Sequence, residues 1–133
     1  MTPKEYKYTK EHEWFCPEPG NRGKIGITDY AQSALGDIVF LNLPAAGTQL
    51  QQSKKMGEVE SVKAVSDLFS PVSGKVLEIN QSAVSDPKLL NDDPYGKGWL
   101  LRVEVSRPAE LDNLMDAGAY DKLVAEITQG NKG

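Results

Sequence analysis

The run Gly57-Glu58-Val59-Glu60-Ser61-Val62-Lys63-Ala64-Val65-Ser66-Asp67-Leu68-Phe69 constrains the fold more than any other stretch of the chain. Val, Leu and Phe on either side of its centre read as two strand arms, 58–61 and 64–69. The centre lacks the Asn-Gly or Asp-Gly chemistry that short hairpins favour. A single cation, Lys63, stands there between Val62 and Ala64. A local rule broken at one point of a consistent β pattern marks a place where function resides. The commonest reading of any lysine is a solvated surface residue. A lysine displayed at a hairpin tip is also a candidate for covalent modification.

The rest of the chain supplies partners for that hairpin. Residues 6–9, 13–15 and 24–27 read as short strands, with turn chemistry from Pro17 to Gly23 between the last two. Thr28 is placed as a helix N-cap, Asp29 suits the first turn, and Gly36 stops the helix. Residues 37–43 form an apolar strand ended by Pro44, and 50–56 carry no clear signal. Pro71 to Gly74 turns the chain into a strand over 75–79, closed by Asn80. Residues 82–93 read as a loop with a helical turn, and 99–105 as the last strand. Many short strands with frequent turns predict a small β sandwich or barrel. From Pro108 the period changes: Leu111, Leu114, Met115, Leu123, Val124 and Ile127 recur at helical spacing. That segment, 108–129, is predicted helical, packed on the β core and broken in two at Ala117-Gly118-Ala119.

At 133 residues the chain is expected to form one domain over 1–133. Fifteen basic against nineteen acidic residues give a net charge of −4, without the basic face that nucleic-acid binding needs. Cys16 is the sole cysteine, so neither an internal disulfide nor a thiolate metal cluster can form. No signal-peptide core or membrane-length apolar stretch is seen, and the expectation is a soluble, cytoplasmic monomer. A mature organellar form with an added start Met would read the same way.

Catalytic signatures are missing. His12 is the only histidine and no nucleophile elbow accompanies it; no HExxH, EF-hand, P-loop or dinucleotide fingerprint occurs. The chain reads as a non-enzyme. A lysine suits a carrier's needs, because its amine forms a stable amide with a carboxylic acid and its stem adds reach.

Glu-Ser-Val-Lys-Ala (60–64), followed by Ser-Pro-Val-Ser-Gly (70–74) and Asn80, resembles the lipoyl-attachment hairpin of the glycine cleavage H-protein family. His12-Glu13-Trp14, Gly26-Ile27-Thr28-Asp29-Tyr30-Ala31-Gln32, Leu35-Gly36-Asp37-Ile38-Val39-Phe40, Leu43-Pro44 and Pro94-Tyr95-Gly96-Lys97-Gly98-Trp99 resemble it too, in the family's order. Each motif alone is weak, and the ordered set is strong. The resemblance implies a mostly β barrel-sandwich hybrid of the lipoyl/biotinyl-carrier type, with a short helix near 28–35 and C-terminal helices.

It further implies lipoate bound covalently to Lys63, with Glu60, Ser61, Val62 and Ala64 as the context that lipoylating enzymes read. The arm would take an aminomethyl group from a pyridoxal-phosphate glycine decarboxylase (P protein) and fold into a protecting cleft. It would then serve a tetrahydrofolate-dependent aminomethyltransferase (T protein) and be reoxidised by dihydrolipoyl dehydrogenase (L protein). Glu13 and Asp67 fall where the family holds the aminomethyl ammonium, and His12 lies in the same motif. Glu11 departs from the small residue usual before His-Glu-Trp and adds charge beside the cleft. Lys75 lacks the Glu-Ser-Val context and is expected to stay unmodified. Three other readings stay open: another swinging-arm carrier, a lipoyl donor to other proteins, and a non-covalent β-rich binding module. Biotinyl domains usually flank their lysine with Met, and 2-oxo acid lipoyl domains precede it with an acid; Val62 and Ala64 fit neither.

Overall fold

Alternation of apolar and polar residues sets nine strands into two sheets, both antiparallel throughout, in a computed structural model describing residues 2–130. The strands are β1 (Lys7–Tyr8), β2 (Glu13–Glu18), β3 (Arg22–Ile27), β4 (Ile38–Asn42), β5 (Gln49–Leu50), β6 (Lys55–Ser61), β7 (Val65–Phe69), β8 (Gly74–Ile79) and β9 (Leu101–Val105). Six of them form one sheet in the order β1-β2-β3-β9-β8-β5, and the other three form a second, β4-β6-β7. The second sheet carries Lys63. Helices are α1 (Asp29–Leu35), α2 (Gln81–Ser85), α3 (Leu89–Asp92) and α4 (Ala117–Gly130), with a 3-10 turn at Pro108–Asn113.

The facing sides of the sheets share one core. Phe15, Ile25, Ile27, Val76, Leu101 and Val103 of the larger sheet meet Ile38, Leu41, Val59 and Leu68 of the smaller. Burial of this apolar area is the main force holding the sheets together. A second cluster lies on the other face of the larger sheet, where Tyr8 and Trp14 pack against Ala117 and Tyr120 of α4. Gly26 makes that packing possible: a Cβ there would stand 2.4 Å from the Trp14 ring. The β-rich expectation, the short helix and its caps are all realised; Thr28 Oγ1 accepts from the Ala31 amide at 3.2 Å.

Several local readings are corrected. β2 runs on through Pro17 to Glu18, although the Pro-rich stretch reads as turn. It does so because β1 pairs only with Trp14 and Phe15, so Pro17 sits where its missing N–H costs no ladder bond. The unclear stretch 50–56 ends β5 and begins β6, and the helical turn expected within 82–93 is two short helices, α2 and α3. The break in the C-terminal segment falls at 114–116, where Met115 exchanges two backbone hydrogen bonds of 2.8 Å with Tyr8. Ala117–Ala119 therefore opens α4 instead of interrupting it. α4 also lies on the outer face of the larger sheet, anchored by Tyr120, whose ring stacks on Tyr8 at 4.9 Å. Among the described residues no helix is long and apolar enough to cross a membrane.

Candidate functional site: an exposed lysine and a buried carboxyl

Between β6 and β7 the tip is closed by Ser61 and Ala64, the Ser61 amide donating to the Ala64 carbonyl at 2.8 Å. Neither Val62 nor Lys63 takes a positive φ, so this is not the usual twisted two-residue turn. Its amides are satisfied from elsewhere. The Val62 N–H donates to the Asp37 carbonyl at 3.0 Å, and Ser61 Oγ accepts from the Lys63 and Ala64 amides at 3.3 and 3.2 Å. Ser61 is thus the residue that lets an Asn-free, Gly-free tip hold its shape, as Ser side chains do in local turns.

Lys63 is exposed at this apex. Its stem lies over the end of α1, with Cε 3.7 Å from where a Cβ on Gly36 would stand. Gly36 has φ 82° and ψ −153°, a conformation open in practice only to glycine. Asn91 brackets the same turn: its Oδ1 accepts from the Ile38 amide at 3.0 Å and its Nδ2 donates to the Gly36 carbonyl at 2.9 Å. The α1–β4 turn, held from both sides, is a fixed seat for the tip. Among the described residues no carboxylate pairs with the Lys63 amine, so acylation there would break no ion pair. The residues present fit a covalently attached carboxylic acid.

Glu13 is the opposite case. On β2 it shares the inward face with Phe15, and only 1% of it is exposed. Its Oε1 accepts from the Thr9 hydroxyl at 2.6 Å and its Oε2 from the Phe69 amide of β7 at 3.1 Å, tying the two sheets together. Burial pushes its carboxyl up to about 7, against the opposing pull of those two hydrogen bonds. Glu13 lines an open cleft of ≈ 180 Å³ with Thr9, Lys10, Glu11, Ser53, Phe69 and Ser70. Ser53, a non-glycine residue on the wall of this cleft, is left-handed at φ 69°.

The structure separates the three residues expected in one cleft. His12 precedes β2 with a left-handed backbone (φ 75°), and its side chain goes to the other side from Glu13. Its Nδ1 meets the Tyr120 hydroxyl at 2.8 Å, which in turn meets Thr28 Oγ1 at 2.7 Å, and burial lowers its pKa. Asp67 is exposed on the outer face of β7, opposite Glu58, and both pair with Lys55, at 3.2 and 2.9 Å. Of the hairpin context, Ser61 points inward, while Glu60 and the exposed Val62 and Ala64 surround the lysine. Lys75 is exposed on β8, away from the tip. Thr9 and Phe69 are site residues that sequence reasoning missed; the one signal for Thr9 was its place four residues before Glu13 in the same short turn. Among the described residues no group of three His, Cys, Asp or Glu is placed to hold a metal ion.

Residues 6–127 match the family model described as Glycine cleavage H-protein. A glycine cleavage system H protein of Symbiobacterium thermophilum is 56% identical over 93% of this chain and 96% of its own length. That of Carboxydothermus hydrogenoformans is 53% identical over 95% and 96%. The crystal structure of a glycine cleavage system H protein from Mycobacterium marinum superposes with a TM-score of 0.82 at 40% identity, covering 92% of this chain and 98% of that one.

Proposed function

The chain belongs to the glycine cleavage H-protein family, and on that premise we propose that Lys63 bears its lipoyl group and that Glu13 holds the loaded arm. The family is the lipoyl carrier of the glycine cleavage system, a cofactor-bearing subunit and not an enzyme, and its partners are the P, T and L proteins. When bound, lipoate supplies the dithiolane that accepts an aminomethyl group and undergoes the redox change.

This chain's residues supply placement and shelter. The pinned tip keeps the backbone still while the side chain moves, which limits the ordering cost at each enzyme. Acylation removes the lysine charge, so the extended side chain can lie along an apolar surface without burying an ion. Glu13 lies at the far end of β7 from the tip, six residues from Lys63 to Phe69, roughly 20 Å of extended chain. An arm folded back along β7 brings a cationic group to Glu13. With its carboxyl near 7, Glu13 gives up its proton to solvent as the ammonium arrives, and the carboxylate keeps that amine protonated and so unreactive. The protein works as a cytoplasmic monomer, loaded by a lipoylating enzyme.

The observation that carries this reading is the exposed Lys63 at an apex whose every amide is anchored. Intact mass with peptide mapping, after incubation with a lipoylating enzyme, lipoate and ATP, tests it. One lipoyl addition at Lys63, lost in Lys63→Arg, is expected. No addition under conditions that load a reference carrier, or addition at Lys75, would overturn it.

A further inference from the structure

Of the five large apolar side chains exposed among the described residues, four crowd the lysine tip: Val39 (52%), Phe40 (54%), Val62 (69%) and Val65 (60%). Strand register makes them one surface. Phe40 of β4 stands opposite Glu60 of β6, which stands opposite Val65 of β7, so a single cross-strand row reads Phe40, Glu60, Val65 on the outer face. Val39 joins that face through the irregularity between Ile38 and Phe40, and Val62 caps it beside Asp37. The next row outward is ionic, with Glu58 and Asp67 on Lys55. An apolar row around one acid, bordered by further carboxylates, has the layout of an interface core with a polar rim.

We propose that the enzyme attaching the lipoyl group seats on this outer face of the β4-β6-β7 sheet, with Val39 and Phe40 as contacts outside the hairpin motif itself. This rests on Lys63 being the attachment site. Reach picks this enzyme over those that use the finished arm. The bare lysine extends no further than its own four-carbon stem, so its modifier must close on the residues beside Lys63. Enzymes served by the longer acylated arm need not. In the step itself the Lys63 amine attacks a lipoyl carboxyl activated by ATP. The amide C–N bond forms, the bond to the activating group breaks, and the amine's proton leaves to solvent. The partner's surface is an apolar hollow for Phe40 and Val65 with a basic group for Glu60, since charge placement fixes register on docking.

Steady-state lipoylation of the full chain by a purified lipoate-attaching enzyme, with lipoate and ATP, provides the test. Phe40→Ser and Val39→Ser, both exposed in the parent, should raise KM for the carrier about tenfold or more together with little change in kcat. Val84→Ser, at the fifth exposed apolar side chain, on α2, should leave KM unaltered. Unchanged KM for the Phe40 and Val39 variants, with Glu60→Gln impaired, would confine recognition to the hairpin and overturn the docking face. Equal impairment by Val84→Ser would also overturn it. Failure of the parent chain to be modified at Lys63 would instead defeat the attachment site, so the two failures are distinct.

Discussion

Lys63 and Glu13 are the two ionisable groups that matter most, and the protein treats them in opposite ways. The lysine is exposed, its backbone amides pinned by Ser61 and Asp37 and its side chain left at large. The glutamate is buried, its backbone ordinary strand and its side chain pinned by Thr9 and Phe69. One end of β7 is built for reach and the other for a poised charge. A carrier needs both, because a group that travels must also have somewhere to wait.

The largest expected effect comes from the buried end. Folding raises the Glu13 carboxyl from 4.5 to about 7, so the folded state favours its protonated form. That contribution is complete below pH 4.5 and is lost as pH rises through 7. Glu13→Gln stays neutral throughout. Its stability relative to the parent should therefore climb by about 3 kcal/mol between pH 4.5 and pH 8, the figure for a shift of this size. Urea unfolding of both proteins across that range measures it. A difference that stays flat with pH would mean the glutamate is not poised, and the contrast with Lys63 would collapse.

At the exposed end the expected effects are smaller and local. Ser61→Ala removes the acceptor for two tip amides that water can partly replace, at a cost of about 1 kcal/mol. The sharper signal is hydrogen exchange. Lys63 and Ala64 amides should exchange faster while Val59 and Leu68, deep in the same strands, keep their protection. Uniform acceleration along β6 and β7 would show that Ser61 supports the whole hairpin and not its tip.

The two ends also differ in how far they could be read from residues. The tip is local: Glu60 to Ala64 lie within five positions, so a motif carries them, and Thr28 and Gly36 announce the helix that forms its seat. The cleft is assembled by long-range pairing. Phe69 gives Glu13 an amide from 56 positions away, which no pattern in β2 encodes. His12 and Glu13 are neighbours in sequence yet face opposite sides of the larger sheet, one toward Tyr120 and the other toward β7. Tyr120 is not among the stripe residues read between Leu111 and Ile127, yet it anchors α4 because its ring stacks on Tyr8. Periodicity finds a buried face but not the partner that buries it.

The smallest effect bears on Asp67, whose sequence position matches Glu13 in promise but whose surroundings do not. With the arm loaded, spontaneous loss of the amine should speed about tenfold in Glu13→Gln, where the charged acceptor is gone. Asp67→Asn breaks only an exposed pair with Lys55 and should change that loss by roughly threefold or less. Release of free amine from the loaded carrier, followed over time at pH 7.5, compares them directly. If the two variants lose the amine equally fast, the loaded arm crosses the outer face of β7 as well as the buried cleft. Shelter and reach would then share one surface, with Lys55 competing for Asp67 each time the arm comes home.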